Sequence, residues 1–214
     1  MGKVWDVLAP RNLELGPLAG QARAASPWRN FMLARDEDGI AWLALDKANA
    51  SANTLSEEVL AELNDVLAHL ERDMPKGLVL RSAKPKGFIA GADIGEFRGM
   101  TDAVAVQTRL TQAHAVVDRL DHLPAPTVAV VHGYCLGGGL EIALACDYRI
   151  AVEDASLGFP EVMLGLHPGL GGTVRLPRLI NPLEAMTMML TGRNARARRA
   201  VSSFVPSPRR WRRP

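Results

Sequence analysis

The sequence predicts an α/β fold in which buried, mostly parallel strands alternate with helices. Continuously apolar runs, typical of strands buried on both faces, alternate with segments of helical periodicity. The predicted strands are IAWLAL (40–45), GLVLRS (77–82), TVAVV (127–131) and YRIAV (148–152). With 214 residues and 48% hydrophobic content, the chain is long enough for one domain with a substantial core.

The first predicted helix follows Ser56, a typical N-cap residue with two glutamates after it that favour a helix N-terminus. Apolar residues then recur at helical spacing and predict one buried stripe. They are Val59, Leu60, Leu63, Val66, Leu67 and Leu70. Pro75 and Gly77 end this helix and lead into the second strand.

A loop with a short strand, residues 84–94, precedes the second predicted helix at 102–121. The inward positions of this helix are Leu110, Ala113, Val117 and Leu120. Pro124 and Pro126 stop it before the third strand. A glycine run and an apolar helix, LEIALAC, follow that strand directly.

The chain divides by composition into three parts. Residues 1–29 show no clear periodicity and are interpreted as a loose extension, whereas residues 30–192 form the domain. Residues 193–214 hold eight arginines, three prolines and no acid, so this tail cannot bury enough apolar surface to order itself. Residues 1–192 therefore carry 17 basic and 23 acidic side chains, a net charge of −6, which does not indicate a nucleic-acid-binding fold.

Two cysteines, Cys135 and Cys146, lie in apolar surroundings and form neither a disulfide framework nor a zinc pattern. The N-terminus lacks the features of a secretory signal. No apolar run approaches the ~18–20 residues that span a membrane. These observations predict a cytoplasmic protein with reduced thiols.

The stretch HGYCLGGGLEIALACD (132–147) places three glycines between a strand and a helix. Such a turn presents free backbone N–H groups that favour negative charge. A phosphate-binding loop would need a following Lys-Ser or Lys-Thr, and a dinucleotide fingerprint would need glycine where Ile142 stands. Two interpretations remain, a site for a developing oxyanion and a turn that needs glycine only for close packing.

Glu141 lies in the first turn of this helix, with apolar residues on both sides. Burying an ionised carboxylate is costly, so its position favours a tuned acid or base at the mouth of an apolar pocket. A solvent-facing glutamate is the alternative interpretation.

Two further stretches are rich in glycine. FIAGADI (88–94) could present N–H groups near Ala90, and its Asp93 is interpreted as a helix cap rather than a catalyst. In the segment 158–179, Glu161 taken alone would be an ordinary exposed glutamate, and His167 would be structural. The histidines show no metal-ligand or triad spacing.

Three motifs in this order, IAGADI, HGYCLGGGLEIALACDYRIA and LGFPEVMLGLHPGLGGTVRLPRLI, resemble the crotonase (enoyl-CoA hydratase/isomerase) superfamily. The resemblance covers roughly residues 31–200. It is closest to the hydratase domain of multifunctional fatty-acid oxidation alpha subunits. It implies a spiral of ββα units, here expected to lack the C-terminal helices of the family, with the Arg-rich tail in their place.

The resemblance also implies roles for individual residues. Glu141 and Glu161 match the two catalytic glutamates of hydratases, and the N–H groups of Ala90 and Gly138 match the oxyanion hole for the thioester carbonyl. The implied substrate-binding residues are Ala90, Gly91, Ala92, Asp93, Gly137 and Gly138. No metal or redox cofactor is implied, because coenzyme A enters as part of the substrate.

The implied activity is addition of water to a 2-enoyl-CoA, giving a 3-hydroxyacyl-CoA in fatty-acid β-oxidation. The presence of both glutamates favours hydration, since members that only isomerise typically keep the one matching Glu161. The alternatives are an enoyl-CoA isomerase, a non-catalytic acyl-CoA-binding protein, and a truncated fragment of a multifunctional hydratase–3-hydroxyacyl-CoA dehydrogenase. The implied partner is an acyl-CoA, not a nucleic acid or a membrane. A homo-oligomer or a β-oxidation complex is expected for the full parent domain.

Overall fold

The structure, a computed structural model, describes residues 26–97 and 101–197, and the following concerns those residues. The strands are β1 (Phe31–Arg35), β2 (Ile40–Leu45), β3 (Gly77–Ser82), β4 (Gly87–Ile89), β5 (Thr127–Val131), β6 (Tyr134–Leu136), β7 (Tyr148–Ala151), β8 (Ser156–Gly158) and β9 (Ala195–Arg196). The helices are α1 (Glu57–Arg72), α2 (Ala103–Asp121), α3 (Gly138–Ala145), α4 (Gly172–Arg175) and α5 (Pro182–Thr191). Short 3₁₀ helices occupy Ile94–Phe97, Pro160–Leu164 and Leu176–Arg178.

These strands form two sheets. The larger has the order β1-β2-β3-β5-β7, in which β1 pairs antiparallel with β2 and the other neighbours are parallel. The smaller has the order β4-β6-β8-β9, in which β9 alone runs antiparallel to its neighbour. All four strands predicted from the apolar runs are present in the larger sheet, which confirms the α/β class.

The chain visits the two sheets in turn. It passes from β3 to β4 and then α2, from β5 to β6 and then α3, and from β7 to β8. Each turn therefore adds one strand to each sheet before a helix returns the chain. This is the spiral of ββα units that the family resemblance implies, and the structure confirms it.

Helix α1 forms for the reasons read from its sequence. The Ser56 hydroxyl accepts a hydrogen bond from the Val59 N–H at 3.3 Å, which caps the first turn. Five of the six predicted stripe residues are buried, and Leu60 is half-buried. The stripe packs into the same core as the strands of the larger sheet.

Helix α2 is capped by Asp102, whose carboxylate accepts from the Val104 N–H at 2.9 Å. Its C-terminal half is buried through Val116, Val117 and Leu120, but its first half is open, and Val104 is 74% exposed. Leu110 and Ala113 are only half-buried. The predicted inward face therefore holds for the second half of the helix, where α1 and α3 cover it.

Helix α3 is buried along its whole length, including Glu141. It contacts α2 and α4 and strands of both sheets, so no side of it is left for solvent. A polar side chain on this helix is therefore enclosed wherever it points, which decides against the solvent-facing interpretation of Glu141.

The domain extends beyond the predicted limits of 30 and 192. The Ser26 hydroxyl donates to the Phe31 carbonyl at 2.6 Å. The Trp28 and His69 rings pack edge to face, with their centroids 5.6 Å apart. At the other end, β9 pairs with β8, and Ala197 is 1% exposed. The prediction that residues 26–29 and 193–197 lie outside the packed domain is wrong, whereas 1–25 and 198–214 lie outside the described residues.

Within the described part of the chain, none of the helices combines the length and apolar character needed to cross a membrane.

Candidate active site

The three glycines at the start of α3, Gly137–Gly139, occupy positions that favour glycine for different structural reasons. Gly137 has a φ of +52°, and a Cβ there would lie 2.7 Å from Oε1 of Glu161. A Cβ on Gly139 would overlap the backbone oxygen of Ile89 on β4. Gly138 is the first residue of the helix, so its N–H has no acceptor within the helix. The turn thus needs glycine for close packing and also places the first N–H of the helix at Gly138, whereas the oxyanion interpretation stays a prediction.

The FIAGADI loop is held beside this turn by a bridge between Leu55 and Ala92. The Leu55 N–H donates to the Gly91 carbonyl, and the Asp93 N–H donates to the Leu55 carbonyl, both at 2.8 Å. Because those bonds are made by the residues on either side of Ala92, its own N–H points away from Leu55. The Ala92 nitrogen lies 3.9 Å from the position that a Cβ on Gly138 would take.

The N–H of Ala90 is not available as an oxyanion donor. It donates to the Asn53 carbonyl at 2.8 Å, so the expectation that it pairs with the Gly138 N–H is wrong. The residue beside Gly138 is Ala92, two positions further along, and Gly91 lies beside Gly137, with its Cα 3.7 Å from a Cβ built there. The structure therefore brings the two predicted loops together, but with a different donor.

Asp93 is held by groups of this chain. Its carboxylate accepts from the Gly95 N–H at 3.1 Å, at the start of the 3₁₀ helix, and pairs with the Lys47 ammonium at 2.8 Å. The hydrogen bond from Lys47 holds the pKa of Asp93 below its ordinary value. These contacts support the interpretation of Asp93 as a cap, and its predicted contact with substrate stays a prediction.

Glu141 is only 1% exposed, and its carboxylate is held by backbone N–H groups. Its Oε1 accepts from the N–H of Leu170 and from the N–H of Gly172, both at 2.7 Å. Two such bonds fix one oxygen of the carboxylate and leave the other for a different partner. Gly172 leaves no room for a side chain, because a Cβ there would lie 2.6 Å from Cζ of Phe159.

Two opposing influences act on the charge of Glu141. Burial raises its pKa, because the ionised form loses water, while the N–H groups of Gly172 and Leu170 lower it. The nearby His114 and Arg175 also favour the charged form. The net direction is upward, which is typical of acid–base groups at functional sites.

The second carboxyl group of the site belongs to Glu161, which lies on the 3₁₀ helix Pro160–Leu164. Its Oε1 faces Gly137, and its Oε2 is buried without a hydrogen-bond partner among the described residues. Burial raises the pKa of this carboxyl to about 7, and the negative charge of Glu141 contributes to the rise. A carboxyl with a pKa near neutrality is suited to give and take protons at physiological pH.

Leu170, Gly172 and Arg175 act on the Glu141 carboxyl, and the sequence pattern does not single out any of them. The first two act through backbone N–H groups, which carry no signature in the residue type. The GLGG run (169–172) is the one signal that could have indicated them, since such runs present N–H groups. Among residues 26–97 and 101–197, no group of three or more His, Cys, Asp or Glu side chains could hold a metal ion.

The fold and the site together define a class of protein. The class is a ββα spiral in which two backbone N–H groups lie near two carboxyl groups in different environments, an arrangement suited to acid–base chemistry. The family model for enoyl-CoA hydratase/isomerase matches residues 35–206. The chain belongs to this family.

Curated relatives at high identity are fatty acid oxidation complex alpha subunits. That of Vibrio cholerae serotype O1 is 48% identical over 185 residues, which are 82% of this chain and 26% of the relative. That of Shewanella oneidensis is 46% identical over 176 residues, 81% of this chain and 25% of the relative. This chain spans about a quarter of the length of these relatives.

Solved structures of enoyl-CoA hydratases are also similar to this chain. The enoyl-CoA hydratase of Bacillus anthracis has a TM-score of 0.76 and 36% identity, covering 82% of this chain and 68% of that one. A Geobacillus kaustophilus structure, also described as enoyl-CoA hydratase, has a TM-score of 0.78 and 32% identity, covering 84% and 67%.

Proposed function

We propose that this chain adds water across the C2–C3 double bond of a 2-enoyl-CoA, giving a 3-hydroxyacyl-CoA. The observation that carries the proposal is the pair of glutamates. The Glu141 carboxyl is oriented by two N–H groups, and Glu161 has a buried oxygen that finds no hydrogen-bond partner within the described part of the chain and a pKa raised to about 7. Such a pair can hold one water molecule and exchange protons with it.

In the proposed reaction, the thioester carbonyl lies against the N–H groups of Ala92 and Gly138. Negative charge develops on the thioester oxygen as the water oxygen bonds to C3, and donors fixed before the reaction stabilise that charge. Loss of one such donor in other enzymes costs about 3–4 kcal/mol. Ala92 replaces Ala90 as the proposed donor, because the Ala90 N–H already bonds Asn53.

The two glutamates divide the proton transfers. Glu141, held as a carboxylate, takes a proton from the water as its oxygen bonds to C3. Glu161, protonated at the start, gives its proton to C2. The product therefore gains the elements of one water, and the two carboxyl groups return to their starting states by exchange with solvent. No metal or redox cofactor takes part in this proposal.

The experiment is the loss of enoyl absorbance when the purified chain is mixed with crotonyl-CoA. We expect turnover that disappears in Glu161→Gln. Turnover of a 3-enoyl-CoA without hydration would favour the isomerase instead. Binding of crotonyl-CoA to folded protein without either reaction would leave an acyl-CoA-binding domain and overturn the proposal.

The names of the relatives suggest the pathway and the partners. Because the curated relatives are alpha subunits of fatty acid oxidation complexes, we propose a role in β-oxidation and, for a longer parent protein, contact with the other subunits of such a complex. The two cysteines are free and buried. We propose a cytoplasmic location, since reduced thiols persist there.

A further inference from the structure

Arg175, the last residue of α4, joins three parts of the molecule. Its side chain is 15% exposed. One guanidinium nitrogen, Nη1, donates to the Leu170 carbonyl at 2.9 Å. The other, Nη2, donates to Asp118 at 2.9 Å and to Asp121 at 3.0 Å, both on α2.

The segment that Arg175 anchors is the one that orients Glu141. Leu170 accepts from Arg175 through its carbonyl and donates to Glu141 through its N–H, while Gly172 supplies the second N–H. Gly171 between them has a φ of +96°, and a Cβ there would overlap the Arg175 guanidinium. The guanidinium thus lies against the backbone of this turn, where only glycine leaves space for it.

We propose that Arg175, held by Asp118 and Asp121, is a positioning residue that fixes the turn 170–172 so that its two N–H groups hold Glu141 in the orientation needed to accept a proton from water. This inference deepens the proposed hydration and rests on it for its catalytic meaning. Asp118 and Asp121 are on the same face of α2, so both carboxylates reach one guanidinium. The turn is then tied to α2 as well as to its own chain neighbours.

The charge of Arg175 has a second consequence for Glu141. The charged and titratable groups facing Glu141 are His114 from α2, Arg175 from α4 and Glu161 from the 3₁₀ helix. Arg175 and His114 lower the pKa of Glu141 against the effect of burial. Loss of the guanidinium should therefore raise this pKa further and move the acid limb of the activity profile to higher pH.

The experiment compares Arg175→Lys and Arg175→Met with Arg119→Lys. Lysine keeps the charge but lacks the planar fork that reaches a carbonyl and two carboxylates at once. Arg119 is the matched control, since it also joins α2 to a neighbour, through Glu71 and Asn64 of α1, but does not contact the turn. Melting temperature and circular dichroism identify any variant that fails to fold.

For Arg175→Lys we expect kcat for crotonyl-CoA to fall about 10- to 100-fold with KM changed less than about threefold, as a small misplacement of a reacting group does. Amide hydrogen exchange at Leu170 and Gly172 should accelerate, and Arg175→Met should shift the acid limb of kcat to higher pH. Arg119→Lys should show none of these changes. Equal effects in both lysine variants, or unchanged exchange at the two amides, would overturn the inference.

A failure of the proposed function can be told apart from a failure of this inference. If the wild-type chain does not turn over crotonyl-CoA, the hydration proposal fails. The positioning role is then decided without substrate, by amide exchange at Leu170 and Gly172 and by carbon NMR titration of Glu141. Faster exchange and a raised midpoint in Arg175→Met support the positioning role, and unchanged values contradict it.

Discussion

The two glutamates of the site sit in opposite kinds of surroundings. Glu141 lies on a fully buried helix and has one oxygen held by two N–H groups, whereas Glu161 lies on a half-buried 3₁₀ turn and has an oxygen with no partner among the described residues. The first carboxyl is held in one orientation by the backbone, whereas the second has a buried oxygen that no described residue holds. Two residues of the same type therefore differ in environment, and the proposed mechanism assigns them different roles on that ground.

The largest expected effect on activity is that of removing the Glu161 carboxyl. Glu161→Gln keeps the shape of the side chain but removes the proton that we assign to C2, so hydration should fall by about 10³- to 10⁴-fold. Isomerisation of a 3-enoyl-CoA should fall with it, since that reaction also moves a proton at C2. Steady-state rates with both substrates measure this, and Glu184→Gln, exposed near the start of α5, is the control. Retained hydration would remove Glu161 from the proposed mechanism.

A smaller and more selective effect on activity is expected when the Glu141 carboxyl is removed. Glu141→Gln should lower hydration by about 10²- to 10³-fold, because the amide cannot accept the proton from water. Isomerisation needs no water, so it should be reduced far less. The ratio of the two rates is the measurement, and an equal loss in both would show that the two glutamates do not divide the work.

Much of the fold was readable from the sequence, because the strands of the larger sheet are continuous apolar runs and α1 has a clear stripe and cap. The short strands were not: β6 and β8 have three residues each, too few for any periodicity. The antiparallel strands β1 and β9 were also missed, and β9 lies in an Arg-rich segment whose composition indicated disorder. Pairing with β8 overrides that local composition.

The site was predictable where it depends on side chains and not where it depends on the backbone. The motifs around Glu141 and Glu161 single out both residues, and the structure encloses Glu141 and one oxygen of Glu161, while their catalytic roles stay predictions. The expectation that Ala90 supplies an oxyanion donor failed because only tertiary pairing decides which N–H is already bonded, and that of Ala90 bonds Asn53. The contacts of Leu170 and Gly172 with Glu141 span about 30 residues of chain, and nothing in a local pattern records them.

The turn that holds Glu141 can be disturbed without removing either carboxyl. In Gly172→Ala, the new methyl group would lie 2.6 Å from Cζ of Phe159 and 3.0 Å from Cγ of Glu141, so the turn must shift. We expect a loss of about 1–3 kcal/mol in the free energy of unfolding. Activity should fall even where the protein remains folded, since the N–H groups move with the turn. Urea denaturation and kcat at the same temperature test both, and an active variant of unchanged stability would contradict the close packing.

The smallest expected effect is on the pH dependence of stability. The folded pKa of Glu161 is raised from an ordinary 4.5 to about 7. Between these values the folded chain keeps a proton that the unfolded chain releases, so stability falls as pH rises through this window. We expect this group to contribute a decline of about 1–2 kcal/mol in the free energy of unfolding, because solvent reaching the half-buried carboxyl weakens the full effect.

Urea midpoints at pH 5 and pH 8 should therefore differ less in Glu161→Gln than in the wild type. The exposed Glu37→Gln should keep the wild-type difference, and a Glu161→Gln protein with the same decline would show that the Glu161 carboxyl is already ionised at pH 5.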